Sequence, residues 1–285
     1  MRHDYAKDPT LLARVFELYE HAWPGMTARA EGARGWGGVR WEVSTPFLVC
    51  DGDRVISHVG VLEMNLVVAG RPMLVGGIHA VVTHPDHRYR GHSRALIEEA
   101  LAWCEPRYET LLLTGEPALY DRYGFRSVPE HRFAGNHRGR GGSGLRLLDR
   151  ASAADGELLL RLLDARAPVS RRLGMVRDRA IFLFDTATWP LRYAEDLDAL
   201  FAYTVKEGVL RLYDVVAKRM PALDAVIARI QEPFERVEVY FAPDAVGAEG
   251  LGPEPHPLGL DDYLMIRGPW PVEHEHVMLP VPARC

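Results

Sequence analysis

The chain has 285 residues, a net charge of -5 and an apolar fraction of 47%, which suits one large domain or two smaller ones with proper cores. This composition excludes a disordered chain. The acidic balance argues against a general electrostatic attraction to nucleic acid or to an anionic membrane, so any anion site must be local.

Cysteine usage and hydropathy indicate the cellular setting. Cys50, Cys104 and Cys285 form neither an even disulfide framework nor a metal-like spacing, which fits a reducing compartment. The first residues, MRHDYAKDP, lack the apolar core of a signal peptide, and no apolar run approaches the roughly 20 residues that span a bilayer. We therefore expect a soluble cytoplasmic protein without a membrane partner.

The N-terminal segment carries a helical pattern. Asp8-Pro9 is a helix-start signal, and apolar residues follow it at helical spacing: Leu12, Val15, Phe16 and Tyr19. The next segment, PGMTARAEGARGWGGVRWEV, is rich in Gly and Arg, which predicts a long loop or a broken helix near a binding surface. The alternative is that its tryptophans, Trp23, Trp36 and Trp41, fill the core, because tryptophan is usually largely buried.

Strand signals follow. The runs PFLVC, RVISHVGVLEMNLVV and MLVGGIHAVVT are separated by turn signals at 51–53 and 69–72, which predicts an antiparallel meander. SRALIEEALAWCE then predicts a helix with an apolar stripe of Ala95, Leu96, Ala100 and Leu101. TLLLTG predicts a short strand, EPALYDRY a helical turn or two, and GFRSVPEHRF a final strand. This order predicts an α/β or α+β layer fold with a mixed sheet.

A composition break at GNHRGRGGSG predicts a linker over 138–144, between a first domain at 1–137 and a second at 145–285. The alternative, that its arginines bind RNA, is disfavoured because an acidic chain carries one short copy, so we expect no nucleic-acid partner. The second half reads as a helix (ADGELLLRLLDAR), a hairpin (LFAYTVKEGVLRLYDVVA), a helix (PALDAVIARI) and a strand (RVEVYFAP). This order predicts a second domain of related architecture.

The junction VVTHPDHRYRGHS sets arginines around a glycine where a strand gives way to a helix. If the strand ends near Thr83 and the helix begins near Gly91 or His92, backbone N–H groups lie at the positive end of the helix dipole. Gly91 lets a ligand approach the backbone closely, and Arg88 and Arg90 can neutralise a diphosphate. The alternative is a plain connection with solvated arginines.

This segment resembles the acetyl-CoA-binding motif of the GNAT N-acetyltransferase superfamily, Arg/Gln-x-x-Gly-x-Gly/Ala after a strand and His-Pro. Arg88-x-x-Gly91-x-Ser93 occupies the pattern, with Ser93 in place of Gly or Ala, which leaves the loop slightly more crowded. EPALYDRYGF is similar to the superfamily's Tyr-x-x-x-Gly-Phe segment. The resemblance covers roughly 5–140 and implies acetyl-CoA as co-substrate, bound by Val81, Val82, Thr83, Arg88, Tyr89, Arg90, Gly91, His92 and Ser93.

The resemblance also implies the GNAT fold, a mixed and mostly antiparallel sheet flanked by helices. Its cofactor strand would splay from a neighbour near 80–82, which frees backbone groups for pantetheine and the acetyl carbonyl. The chain is most similar to the Eis-type branch of tandem GNAT domains, without the third domain that those proteins usually add. The second half has no cofactor motif, so we expect it to shape the acceptor pocket as an internal pseudo-dimer. Whether the carboxylate of Cys285 takes part, and whether the chain is a monomer or a homo-oligomer, stays open.

Acetyl transfer to an amine needs a neutral nucleophile, a polarised carbonyl and a proton for the thiolate. The resemblance implies that Tyr120 protonates the thiolate; the alternative is a tyrosine that only packs under the helix. Candidate bases are His79 on the cofactor strand and Glu116 beside the tyrosine segment, with His58 on the preceding strand as a weaker candidate.

Other reactive side chains give weaker evidence of a function. The pair His84 and His87, and the segment 274–276 (HEH), lack a complete ligand set nearby, so we expect no metal. Cys104 lies in the helix after the loop without an assignable activating partner, so we interpret it as a packing residue.

The sequence thus predicts an acetyl-CoA-dependent N-acetyltransferase acting on a primary amine of a small or medium-sized acceptor. Its acidic character favours a cationic acceptor such as a polyamine, an aminoglycoside or a peptide amine, and protein N-termini stay an alternative. Two other functions remain open: a non-catalytic acyl-CoA-binding protein, and an acyltransferase that uses a longer acyl-CoA.

Overall fold

A computed structural model describes residues 1–8, 10–37, 41–139, 141–248, 250–256 and 262–284. The strands within these ranges form two seven-stranded sheets flanked by helices, which confirms the predicted mixed, mostly antiparallel α/β architecture. One large apolar core contains residues from both halves of the chain, and a smaller core lies beneath the helix that follows the arginine-containing loop. The two halves are therefore joined by buried apolar surface.

Two helices precede the first sheet: α1 over Leu11–Glu20 and α2 over Met26–Gly37. The predicted start of the first helix lies partly outside the described residues, because Pro9 is not among them. The prediction of a long loop or broken helix after α1 is wrong over α2, whose Ala, Arg, Met and Glu residues are good helix formers. Gly32 brings this helix close to the backbone at Ala187, which explains why a glycine-containing segment is helical here.

The tryptophans of this segment have different surroundings. Trp36 is buried in the core, as the packing alternative predicts, and Trp41 is partly buried against it. Trp23, in contrast, is 41% exposed. Trp23 and Trp41 both line a cavity that is described below, so the binding-surface interpretation applies to these two.

The predicted antiparallel meander is confirmed, and the first sheet has the order β1-β2-β3-β4-β14-β5, with β8 paired to the far end of β2. β3 and β4 are parallel and are connected by α3. The elements of this sheet are β1 Thr45–Asp51, β2 Arg54–Val68, β3 Arg71–Thr83, α3 His92–Cys104, β4 Leu111–Gly115, α4 Pro117–Tyr120, β5 Arg126–Val128, β8 Leu173–Met175 and β14 Tyr263–Arg267.

The apolar stripe of α3 is rotated from the predicted one. Ala95 is exposed, whereas Ile97 and Cys104 are buried beside the predicted Leu96, Ala100 and Leu101. The stripe of buried side chains therefore starts one residue later than expected. Alanine is small and only weakly hydrophobic, so the sequence pattern did not define the position of this stripe on α3.

The second sheet has the order β13-β6-β12-β11-β10-β9-β7 and contains the predicted hairpin and last strand. The predicted final helix is shorter than its sequence pattern and ends at Ile227. The elements of this half are β6 His131–Gly139, β7 Leu145–Leu147, α5 Ala153–Ala165, α6 Arg179–Asp185, β9 Leu191–Ala194, β10 Ala199–Lys206, β11 Val209–Ala217, α7 Leu223–Ile227, β12 Phe234–Val239 and β13 Gly252–Pro255.

Each sheet contains an inner strand from the opposite half of the chain, and the first sheet also takes β8 from the C-terminal half. β14 lies between β4 and β5, and β6 lies between β12 and β13. The segment predicted as one final strand is thus two strands in different sheets, separated at Pro129, whose nitrogen has no hydrogen to donate. The first residues of the predicted linker 138–144 belong to β6. The domain limits stay a prediction, and strand pairing crosses them in both directions.

The two sheets repeat one order of strand directions. In the first, the meander β1 to β3 leads to the parallel pair β3–β4, beside which β14 is antiparallel. In the second, the meander β9 to β11 leads to the parallel pair β11–β12, beside which β6 is antiparallel. The strand exchanged between the halves takes the same place in both sheets.

A fragment of residues 1–137 should not fold as a stable unit, because it lacks β14 and leaves β4 and β5 without their shared neighbour. We expect its thermal unfolding, followed by circular dichroism, to show no cooperative transition. Co-expression with residues 138–285 is the control and should restore a complex that unfolds cooperatively. A fragment that unfolds alone in a sharp transition near that of the full chain would contradict the importance of the exchanged strand.

Candidate active site

The arginine-containing loop ends at the N-terminus of α3, as the sequence predicts. β3 ends at Thr83, and Gly91 caps the thirteen-residue helix in the left-handed region, with φ of 81°. Within the described residues, the backbone amides from Tyr89 to Arg94 donate no hydrogen bond. Free amides and the helix dipole together favour an anion at this position.

The two arginines of the loop are exposed. Arg88 donates to the carbonyl oxygen of Thr83 at 3.3 Å, and Arg90 donates to that of Asp86 at 3.1 Å. Neither forms an ion pair with a carboxylate of the described residues, so no such partner balances their positive charges there. A cavity of about 500 Å³ lies against this loop. It is lined by the predicted cofactor-binding residues except Arg90: Val81, Val82, Thr83, Arg88, Tyr89, Gly91, His92 and Ser93.

Ser93, the departure from the motif, has a structural partner. Its Oγ lies 2.6 Å from Oγ1 of Thr83, which lies 2.8 Å from Oγ of Ser57. This chain of hydroxyl groups ties the first turn of α3 to β3 and β2. The hydroxyl of Ser93 is therefore used to hold the loop on the sheet, which differs from the crowding that the sequence alone suggests.

β3 diverges from β4 beside this loop. The two strands pair only at Gly76–Leu111 and Gly77–Leu112, so the splay expected near 80–82 is confirmed. The register between β2 and β3 shifts in the same region, where Ala80 adopts a left-handed φ of 47°. Such a conformation strains a residue with a Cβ and persists only where its surroundings enforce it.

His58 holds this bulge in place. Its Nδ1 donates to the carbonyl oxygen of Ala80 at 2.8 Å, and its Nε2 accepts from the hydroxyl of Tyr19 at 3.0 Å. The ring is fully buried, which lowers the pKa of His58 to about 4. Both ring nitrogens are engaged, and His58 lines neither the loop cavity nor the second cavity that is described next. His58 therefore supports the strand and does not suit the role of a base.

A second cavity, of about 480 Å³, adjoins the first. The predicted catalytic side chains His79, Glu116 and Tyr120 all line it. Val81 and Leu119 line both cavities, so the two spaces meet where β3 and β4 diverge. The structure thus brings the acid candidate and both base candidates to one place.

His79 lies on the wall of the second cavity and is 6% exposed. Its Nε2 bonds Oγ of Ser44 at 2.6 Å, and its Nδ1 has no hydrogen-bond partner among the described residues. A Cβ on Gly60 would lie 2.2 Å from this Nε2, so glycine at that position makes room for the ring. Burial holds the pKa of His79 well below its usual 6.5, which keeps the imidazole neutral near pH 7.

Tyr120 ends α4 and packs its ring over Gly115, where a Cβ would lie 2.6 Å away. Burial, assisted by the negative charge of Asp262, raises the pKa of Tyr120 to about 12. The phenol is therefore protonated throughout the neutral range and can act as a donor. Glu116 precedes the helix and is exposed at the edge of the cavity.

The sequence did not identify the residues that the C-terminal half contributes. These residues are Phe184 and Asp185 from α6, together with Asp262 and Arg284, and they line the second cavity. Arg29 from α2 lines the same cavity. The segments of these residues carry no motif, and α6 was not predicted, although the apolar run IFLF after the capping Asp178 could have indicated it. Cys285, whose carboxylate was considered, lies outside the described residues.

The remaining candidates show no catalytic arrangement. Across the described ranges, no group of three or more His, Cys, Asp or Glu side chains is placed to hold a metal ion. Nε2 of His84 contacts Arg54 at 2.6 Å, which is not the environment of a metal ligand. Cys104 is buried, which raises its pKa to about 12. No helix in the described part of the chain has the length and apolar character needed to cross a membrane.

Residues 10–128 match the family model of the acetyltransferase (GNAT) domain. A probable N-acyltransferase from Enterococcus faecalis shares 13% identity and a TM-score of 0.59, over 94% of this chain and 71% of that one. A GCN5-related N-acetyltransferase from Kribbella flavida shares 18% identity and a TM-score of 0.55, over 90% and 68%. Eis1 from Mycobacterium abscessus shares 16% identity and a TM-score of 0.55, over 93% and 72%. No match was found among curated proteins.

These identities are low, so the solved structures show a shared fold, and that fold extends over nearly the whole chain. The family model covers the segment that lines the loop cavity and the N-terminal part of the lining of the second cavity. Residues 10–128 are therefore similar to a GNAT acetyltransferase domain, and nearly the whole chain shares the fold of these solved structures.

Proposed function

We propose that this protein is an acetyl-CoA-dependent N-acetyltransferase that acts on a primary amine of a small or medium-sized acceptor. The observation that carries the proposal is the meeting of two cavities at the divergence of β3 and β4. One is lined by the loop with free amides, and the other is lined by His79, Glu116 and Tyr120.

The loop cavity suits the diphosphate of acetyl-CoA. Free amides at the start of α3 can donate to phosphate oxygens, and Arg88 lines the cavity with a charge that no described carboxylate balances. The pantetheine chain would follow the part of β3 that diverges from β4, near residues 80–82, toward the second cavity. The bulge at Ala80 would place backbone groups near the acetyl carbonyl.

In the reaction, the acceptor amine loses a proton and its nitrogen forms a bond to the acetyl carbon. The bond between that carbon and sulfur then breaks, and the sulfur takes a proton. Tyr120 donates the proton to the sulfur, and His79 or Glu116 accepts the proton from the amine. His79 is the better placed base, because its Nε2 is held by Ser44 and its Nδ1 remains available to accept.

The C-terminal half has a different task in this proposal. It supplies part of the wall of the second cavity through Phe184, Asp185 and Arg284, and it binds no cofactor of its own. The halves thus act as tandem GNAT-like units in which one holds the donor and the other shapes the acceptor pocket. We infer a cytoplasmic enzyme with a cationic amine acceptor, because Glu116, Asp185 and Asp262 all line this cavity.

Calorimetric titration with acetyl-CoA tests the donor, with adenosine diphosphate and a longer acyl-CoA as controls. Thiol release in the presence of a panel of amines then tests the transfer. Binding that prefers acetyl-CoA together with amine-dependent thiol release supports the proposal. Binding without turnover would indicate a non-catalytic acyl-CoA-binding protein, preference for the longer donor would indicate another acyltransferase, and no binding would refute the proposal.

Replacing Tyr120 by Phe should lower kcat about a hundredfold, because the leaving sulfur loses its proton donor. The affinity for acetyl-CoA should stay the same, since the ring and its packing over Gly115 are kept. Steady-state kinetics and calorimetry measure the two effects. Tyr123→Phe, a nearby partly buried tyrosine outside both cavities, is the matched control. A kcat equal to that of the control would remove Tyr120 from the mechanism.

The pH dependence of kcat/KM should identify the base. Because burial lowers the pKa of His79, the neutral imidazole persists on acidification to below pH 6.5, and activity should fall only when His79 is protonated there. His79→Ala should lower kcat about a hundredfold and abolish this acid limb, while Glu116→Gln should keep the limb. A limb that vanishes with Glu116→Gln and survives in His79→Ala would assign the base to Glu116.

A further inference from the structure

Asp185 is a carboxylate that the proposed transfer does not use. It is the last residue of α6, lines the second cavity and has a side chain that is 19% exposed. Its Oδ1 lies 3.5 Å from Nη2 of Arg29, whereas its Oδ2 is buried and makes no hydrogen bond with any residue that the structure describes. A buried polar oxygen without a donor is costly, so the described residues satisfy this carboxylate incompletely.

The charge of Asp185 is incompletely stabilised by the protein. Burial raises the pKa of Asp185 to about 7, while Arg29 and then the amide and guanidinium of Arg284 lower it, and Asp178 raises it slightly. Arg284 is engaged elsewhere, because its Nη1 and Nη2 donate to Glu130 at 2.9 and 3.0 Å. Arg29 is therefore the ion-pair partner of this carboxylate in the cavity, while Arg284 acts on it through its backbone amide and its charge.

Aromatic rings stand beside Asp185. The ring of Trp41 stacks on that of Phe184 with centroids 4.3 Å apart, and it is perpendicular to the ring of His79 with centroids 5.6 Å apart. The guanidinium of Arg29 already lies over Phe184, at 5.0 Å from the ring centroid. Aromatic faces attract cations and pack well on flat apolar groups. Trp41 and Phe184 thus form a continuous aromatic surface between Asp185 and His79.

We propose that Asp185 selects the acceptor: its partly exposed carboxylate pairs with the ammonium group of a primary amine whose flat apolar body packs on Trp41 and Phe184. This inference rests on the proposed function, since it names the acceptor class of the same cavity. The helix α6 of the C-terminal half then determines specificity, while the N-terminal half binds the donor.

The test compares two probes of one shape, phenethylamine and the uncharged phenethyl alcohol, by calorimetric titration of the full chain at about pH 8, where the carboxylate and the amine are both charged. Asp185→Asn keeps the size of the side chain and removes its charge. We expect this variant to bind phenethylamine at least about tenfold more weakly, as hydrogen bonds to charged groups predict, and to bind the alcohol unchanged.

Asp164→Asn is the matched control. Asp164 is exposed on α5 and pairs with Arg179 at the start of α6, so this variant also removes a carboxylate that contacts α6, but outside the cavity. It should bind both probes as the wild type does. Thermal unfolding shows whether each variant folds. Should Asp185→Asn fail to fold, Phe184→Leu provides the second test and should weaken both probes to a similar extent.

Equal affinity of wild type and Asp185→Asn for phenethylamine would overturn the inference, as would a wild type that binds the amine no better than the alcohol. The titration with acetyl-CoA is independent of this result. If acetyl-CoA fails to bind while the charge-dependent amine site is found, the proposed function fails and the amine site stands. If amines are acetylated with a KM that is unchanged in Asp185→Asn, the function stands and this inference fails.

Discussion

The divergence of β3 from β4 is the constraint on which the rest of the structure depends. The register of β3 with β4 covers Gly76 and Gly77, and at the bulge His58 donates to the carbonyl oxygen of Ala80 while Tyr19 donates to His58. A parallel sheet that remained zipped would leave neither a gap for a substrate nor free backbone groups. The unusual conformation at Ala80 is thus stabilised by buried hydrogen bonds at the place where two cavities meet.

The exchange of strands explains how a half without a cofactor motif contributes to the site. β14 closes the first sheet from the C-terminal half, and β6 takes the equivalent place in the second sheet. The two halves therefore share hydrogen-bonded sheets as well as an apolar core, which fixes α6 beside α2 and puts Phe184 and Asp185 into the second cavity. If the second cavity holds the acceptor as we propose, a pocket with one wall from each half could change its specificity without disturbing the loop before α3.

Local patterns predicted the meander, the strand end near Thr83 and the helix start near Gly91 or His92, and the resemblance to a known family implied the divergence of β3. They failed where the decisive interaction is remote. The exchange of β6 and β14 depends on pairing between residues about a hundred or more positions apart, and no local pattern encodes it. For the same reason the sequence offered His79, Glu116 and Tyr120 from motif neighbourhoods but missed Asp185. The chain of hydroxyl groups through Ser93 likewise depends on contacts with Thr83 and Ser57, which lie on other elements, β3 and β2.

The central claim is that the junction of β3 and α3 binds the donor, and hydrogen–deuterium exchange tests it most directly. The amides from Tyr89 to Arg94 donate no hydrogen bond within the described residues, so they should exchange rapidly in the free protein. Addition of acetyl-CoA should slow exchange in peptides that cover residues 78–94 and leave the second sheet unchanged. Unaltered exchange over 78–94 at saturating acetyl-CoA, or protection confined to other segments, would contradict the account.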